Sequence, residues 1–153
     1  MRFAWNLVRE SLPEAFRYVT IAAPYASMKV ASLLLPAIRD AAARGVSVRL
    51  IVDEPSGMAA RERLSAVLSV LREVGCEAEM GRLTVTGIAV IDGRVAWYGT
   101  LPLLALPREG DCSLRIVSAE VAADLCDVLR ECTPEPWQSV LSSAQANASA
   151  VRH

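Results

Sequence analysis

Histidine is almost missing from this chain: one occurs in 153 residues, and it is the last, His153. Without an internal imidazole, most His-dependent catalysis becomes untenable, Ser-His-Asp hydrolysis included. A chain end is also where order is least expected, so His153 makes a poor site residue. Lysine is as scarce, with Lys29 alone among 16 basic residues. Aromatic residues make up 5% against 53% hydrophobic residues, which describes a globular interior rich in Ala, Val and Leu rather than disorder. The formal charge is −1, so no global basic field exists to hold nucleic acid. No apolar run approaches the length of a membrane span, and charge at Arg2 and Arg9 breaks the start too early for a signal peptide, which makes a cytoplasmic protein the expectation. Nothing resembles a Walker loop or a dinucleotide glycine fingerprint. Cys76, Cys112, Cys126 and Cys132 form no C-x-x-C pair and have no internal His to complete a zinc site. They read as small hydrophobes or incidental thiols; neither a metal nor a cofactor is implied.

What is present alternates strand with helix. Tyr18 to Ala22 is a short β-rich run ended by Pro24. Val30, Leu33, Leu34, Ala37, Ile38 and Ala41 mark one helical face closed by Gly45, with Pro36 either kinking that helix or starting its main body. Ser47 to Val52 is a second strand, and Leu64, Val67, Leu68, Leu71 and Val74 give a second amphipathic helix stopped at Gly75. Cys76 to Met80 reads as an edge strand. Val85 to Ile91 and Arg94 to Tyr98 form a hairpin around a two-residue Asp92-Gly93 turn. After a Pro-containing loop from Leu101 to Gly110 come a strand, Cys112 to Val117, and a closing helix marked by Val121, Leu125 and Val128. This order predicts an α/β domain over residues 1–132: a mixed sheet, parallel early and antiparallel later, flanked by helices on both faces. Residues 133–153 read as a partly flexible tail, in which Trp137 is placed to dock on the body.

The stretch from Val85 to Thr100 carries a resemblance. Its frame is similar to the phospholipase D signature, His-x-Lys-x4-Asp-x6-Gly-Ser with Asn after two further residues. Anchored on Asp92, the Gly falls on Gly99 and the Ser on Thr100, while Val85, Gly87 and Leu103 stand where the family has His, Lys and Asn. Tyr18 to Tyr25 resembles the family's first strand and its Ser-Pro-Tyr loop. Ala41 to Val52 resembles its helix, turn and second strand, and Leu114 to Leu125 its closing strand and helix. With Trp97-Tyr98-Gly99 before the small hydroxyl residue, the chain is most like the phospholipase D-like domains attached to large bacterial DNA helicases. The resemblance implies a phospholipase D/nuclease-like half-domain stripped of its chemistry. In the family the His attacks phosphorus and the Lys neutralises phosphate oxygens. Valine has no lone pair for the first task and glycine no charge for the second.

Each remaining candidate has a plainer reading beside it. Asp92 in a two-residue Asp-Gly turn is first a turn former, although the resemblance implies that this position supports the catalytic His in active relatives. Gly99-Thr100 resembles the phosphate-facing Gly-Ser, and reads equally as a strand terminus with a hydroxyl. Ser27 and Ser56 are expected helix N-caps, and Asp53 and Glu54 surface loop acids, on the loops where an α/β sheet would place a ligand. Arg82, Arg94, Arg108 and Arg115 could hold a nucleic-acid backbone if several face one cleft; the near-neutral total favours ordinary solvated charge.

Single-motif relatives pair as homodimers, so the resemblance implies a dimer, or docking onto a larger protein, through the motif face. There Val85, Leu101, Leu103 and Leu104 make the surface apolar. The expectation is an interaction module beside nucleic-acid machinery of helicase or defence type, with no membrane contact. The rival is a working phosphodiesterase that draws His and Lys from a partner chain, or uses Thr84, Thr86, Thr100 or Cys112 as nucleophile. A third reading makes the chain a fragment of a longer protein.

Overall fold

The computed structural model describes residues 11–83, 87–100, 106 and 108–132. In chain order they form β1 (Tyr18–Ala23), α1 (Met28–Ala43), β2 (Ser47–Asp53), α2 (Met58–Glu73) and β3 (Glu77–Gly81). Then follow β4 (Gly87–Ile91), β5 (Val95–Gly99), β6 (Ser113–Val117) and α3 (Ala119–Cys132). One six-stranded sheet runs in the order β3-β2-β1-β4-β5-β6. The two helical crossovers bring β1, β2 and β3 into parallel register, with Val19 beside Val48 and Leu50 beside Ala78. β4 lies antiparallel to β1, and β5 and β6 continue antiparallel. The sheet is thus mixed, parallel in its first half and antiparallel in its second, with β3 on an edge as the sequence pattern predicts.

Period-2 alternation sends β1 side chains to two different cores. Val19, Ile21 and Ala23 pack with Leu50 and Val52 beneath Leu34 and Ile38 of α1 and Leu64, Leu68 and Leu71 of α2. On the opposite face Ala22, Ile88 and Val90 meet Ala122, Cys126 and Leu129 of α3. A central strand covered on both sides must be apolar throughout, which is why β4 reads Gly-Ile-Ala-Val-Ile and is buried from end to end. Burying a leucine such as Leu68 or Leu71 completely contributes about 2 kcal/mol, so these three helices hold the sheet chiefly by area removed from water.

The helix ends follow their local chemistry, with two corrections to the sequence reading. Ser27 caps α1 as expected, its Oγ accepting from the Val30 N–H at 3.2 Å. Gly45 and Gly75 end α1 and α2 with positive φ, and the Val46 and Cys76 N–H groups reach back to the Ala41 and Leu71 carbonyls. Pro36 lies inside α1, which begins eight residues earlier and continues to Ala43; the proline does not start the helix body. Gly57, not Ser56, occupies the N-cap of α2, and no side chain caps that helix.

Before β1, Leu12 and Ala15 are buried against the first core. The Trp97 Nε1–H donates to Ser11 Oγ at 3.0 Å, and an Arg44 guanidinium N–H donates to the Leu12 carbonyl at 2.9 Å. Among the described residues no helix is long and apolar enough to cross a membrane.

Candidate functional site

The register gathers the motif at one end of the sheet. Gly87 at the start of β4 faces Gly99 at the end of β5, and Gly99 faces Ser113 at the start of β6. Ala22 pairs with Ile88, and Ala23 with Val52, so the exits of β1 and β2 open at this same end. Val85, Leu101, Leu103 and Leu104, together with Thr84, Thr86 and the tail with Trp137 and His153, lie outside the described residues.

Asp92 is at the other end. Five residues of extended strand, at about 3.4 Å each, put it roughly 17 Å from Gly87. It therefore cannot support chemistry at the start of the motif, which is the role the resemblance implied. Its carboxylate instead accepts three backbone N–H groups that precede and open β1: Phe16 at 3.1 Å, Arg17 at 2.8 Å and Tyr18 at 3.0 Å. The Asp92 N–H donates to the Tyr18 carbonyl at 3.0 Å, completing a bracket between the hairpin and the first strand. The hairpin ladder closes at Ile91 and Val95, so the connection is Asp92-Gly93-Arg94, three residues rather than the two expected. Asp92 and Gly93 both adopt positive φ, 53° and 65°, a backbone state that Asp and Gly tolerate best.

Gly99 and Thr100 have structural work at the motif end. A Cβ at position 99 would strike the Cys112 carbonyl and lie 2.7 Å from Ser113 Cα, so only glycine lets the β6 backbone pass. The Thr100 N–H donates to the Cys112 carbonyl at 2.9 Å, and Thr100 Oγ1 accepts from the Cys112 N–H at 3.2 Å. That hydroxyl is thus tied to a peptide group and has no carboxylate partner among the described residues, whereas a hydroxyl nucleophile needs an adjacent base. Cys112 is exposed at the same turn.

The acids on the β2 exit are not simply surface loop groups. Asp53 Oδ1 accepts from the Leu83 N–H at 3.0 Å, which ties the ends of β2 and β3 together. Glu54 is ion-paired with Arg61 on α2. Between the loop after β1, the loop after β2 and the first half of α2 lies a half-open cavity of about 590 Å³, with walls from Pro24, Tyr25, Pro55, Leu64 and Val67. Asp53, Ser27 and Arg63 supply its polar atoms. Sequence reasoning marked these loops as the place for a ligand but missed Arg63, whose position on α2 carries no motif.

The four arginines do not share one cleft. Arg94 and Arg115 border a small hollow beside Asp92 at the hairpin end, and Arg94 lies over the Phe16 ring at 5.8 Å. Arg108 is at the motif end, its guanidinium 5.9 Å from the Tyr25 ring centre. Arg82 follows β3 on the sheet edge, and its backbone N–H donates to the Cys132 carbonyl at 3.3 Å.

Cys76 is buried, and burial, with the Glu77 charge adding to it, pushes its thiol up to about 12. It stays protonated and inert. No cluster of three His, Cys, Asp or Glu side chains that could hold a metal ion occurs among the described residues.

Comparison with known proteins gives a family match and two likenesses of fold. A family model described as "Cardiolipin synthase, PLD-like domain" matches residues 8–125. The polyphosphate kinase of Porphyromonas gingivalis is similar over 88% of this chain and 24% of its own, with a TM-score of 0.61 and 16% identity. TrmBL2, described as an archaeal chromatin protein with a novel mode of DNA binding, is similar over 86% of this chain and 49% of its own, with a TM-score of 0.50 and 16% identity. At that identity the likeness is one of fold, and the chain spans a quarter to a half of those two proteins. No curated protein matches it in sequence.

Proposed function

The chain belongs to the phospholipase D-like domain family, and from that premise we propose that it is a catalytically degenerate member acting as a docking or dimerisation module beside nucleic-acid machinery of helicase or defence type. One observation carries the reading. The family's lysine position is Gly87, a buried residue paired with Gly99 inside the sheet, and its histidine position is Val85. Neither offers a nucleophile or a charge for a phosphate, and the hydroxyl that remains, Thr100, bonds a backbone amide. The nucleic-acid part is supported by the family resemblance and by the DNA-binding description of TrmBL2.

The docking surface in this reading is the motif face, where Val85, Leu101, Leu103 and Leu104 replace or adjoin polar family positions. Light scattering at micromolar concentration, with and without a single-stranded oligonucleotide, tests it. We expect a dimer that Leu103→Glu converts to folded monomers, because the substitution buries an unpaired charge only in the assembly. An oligomer indifferent to Leu103→Glu places the seam elsewhere. Turnover of a phosphodiester by the purified chain, abolished by Thr100→Val, would replace this reading with an enzymatic one.

A further inference from the structure

We propose that the cavity between the β1–α1 loop and α2 is a seat for one unstacked base of a single-stranded nucleic acid, with a preference for bases that carry an exocyclic amino group. The inference rests on the nucleic-acid part of the function proposed above and names the ligand chemistry of a different surface from the apolar motif face.

The cavity's volume, about 590 Å³, is ample for a base and its sugar, and its walls are mostly apolar. Tyr25 lines it while 42% exposed, so its ring is both fixed by the loop and open to a partner. Arg108 lies against that same ring, and its side chain has no ion pair among the described residues. A tyrosine face backed by a guanidinium is the platform on which bases stack in single-strand binders, because every base has a π-face. Pro24 and Pro55 add rigid walls that lose little entropy when a flat ligand enters.

The polar groups arrange the ligand end to end. Asp53 holds the Leu83 N–H with one carboxylate oxygen, and the other has no partner among the described residues. A lone acceptor in an apolar pocket recognises a hydrogen-bond donor, and the amino groups of adenine and cytosine are such donors whereas thymine has none. Arg63 borders the cavity on exposed α2 and makes no ion pair among the described residues, so it suits the phosphate that follows the base. Glu54, the acid that would repel this phosphate, is paired with Arg61. Apolar walls, one acceptor and one outer cation fit a nucleotide better than a plain fatty chain, which would leave Asp53 buried against hydrocarbon.

Fluorescence anisotropy with labelled twenty-residue oligonucleotides, on the full chain at low salt, tests the idea. We expect oligo-dA and oligo-dC to bind about tenfold or more tightly than oligo-dT. Tyr25→Ala and the cavity-filling Ala60→Leu should each lower dA affinity by about tenfold and erase the preference. Arg63→Ala should weaken all sequences equally and reduce the salt slope by about one. Circular dichroism of each variant confirms that the fold is kept. Equal binding of all sequences, unmoved by Tyr25→Ala and Ala60→Leu, overturns the base seat and leaves the nucleic-acid reading standing. If no oligonucleotide binds, both fall.

Discussion

Replacing Asp92 with alanine should unfold the domain from the hairpin end without touching the motif end. The side chain is 9% exposed, and its two oxygens accept from the Phe16, Arg17 and Tyr18 N–H groups, so alanine leaves three donors without their partner. A hydrogen bond to a charged acceptor is worth about 1.5–3 kcal/mol net, but the three are not additive. Phe16 is 58% exposed, so water can reach part of this segment and recover some of the loss. Alanine must also adopt the φ of 53° that Asp92 holds, which costs about 1 kcal/mol. The expected loss is about 3–4 kcal/mol, a large share of a domain's usual 5–15 kcal/mol. Urea unfolding followed by circular dichroism reads it directly: with a slope of about 2 kcal/mol per molar, the midpoint should fall by roughly 1.5–2 M. Asp92→Asn keeps one acceptor oxygen and tolerates the backbone, so it should lose about half as much. Asp92→Gly separates the bonds from the strain, since glycine removes only the former. A midpoint within 0.5 M (about 1 kcal/mol) of the parent for Asp92→Ala would refute the bracket, as would equal losses for Ala and Asn.

Three further expectations come from other contacts. Gly99→Ala should cost about 2 kcal/mol or more, visible as a lowered melting temperature, because the new methyl group collides with the Cys112–Ser113 backbone that it cannot displace cheaply. Ser11→Ala removes the oxygen that the buried Trp97 indole donates to, so about 1–3 kcal/mol should be lost in urea, with a shift in tryptophan emission. Cys76 holds its proton up to about 12 in the folded state, above its ordinary 9.0, so the folded form binds a proton that the unfolded form releases. Its stabilising contribution is therefore complete below pH 9 and is lost as pH rises from there toward 12; Cys76→Ala should flatten that alkaline decline in a pH series of urea midpoints. Iodoacetamide at pH 8 should modify exposed Cys112 and leave Cys76 untouched, as peptide mass mapping would show.

Local pattern was enough to read every element in the described residues. The helical face through Val30, Leu34, Ile38 and Ala41 and that through Leu64, Val67, Leu68 and Leu71 are the buried faces observed. Both were legible because burial on one side imposes a 3.6-residue period on the sequence itself. The change from parallel to antiparallel pairing was also legible, since helical crossovers enforce the first and a tight hairpin the second. The two helix-start errors were local too. Pro36 reads as a breaker until packing holds it inside α1, and Ser56 reads as a cap until the chain bends at Gly57 instead.

The frame of the motif, its missing histidine and lysine, and the class of fold were thus determined by sequence alone, because each is a matter of residue type at fixed spacing. Tertiary structure decided what the surviving residues do. Asp92 bonds amides 74 to 76 positions away, and Asp53 an amide 30 positions away, separations across which no sequence period runs. The arginines that are neighbours in the chain were parted between opposite ends of the sheet by strand direction. Tyr25 and Arg63, without a motif between them, were brought to one cavity by the crossover that lays α2 beside the β1 exit. Spacing writes chemistry into a chain, but only the order of strands sets which end of the sheet that chemistry faces.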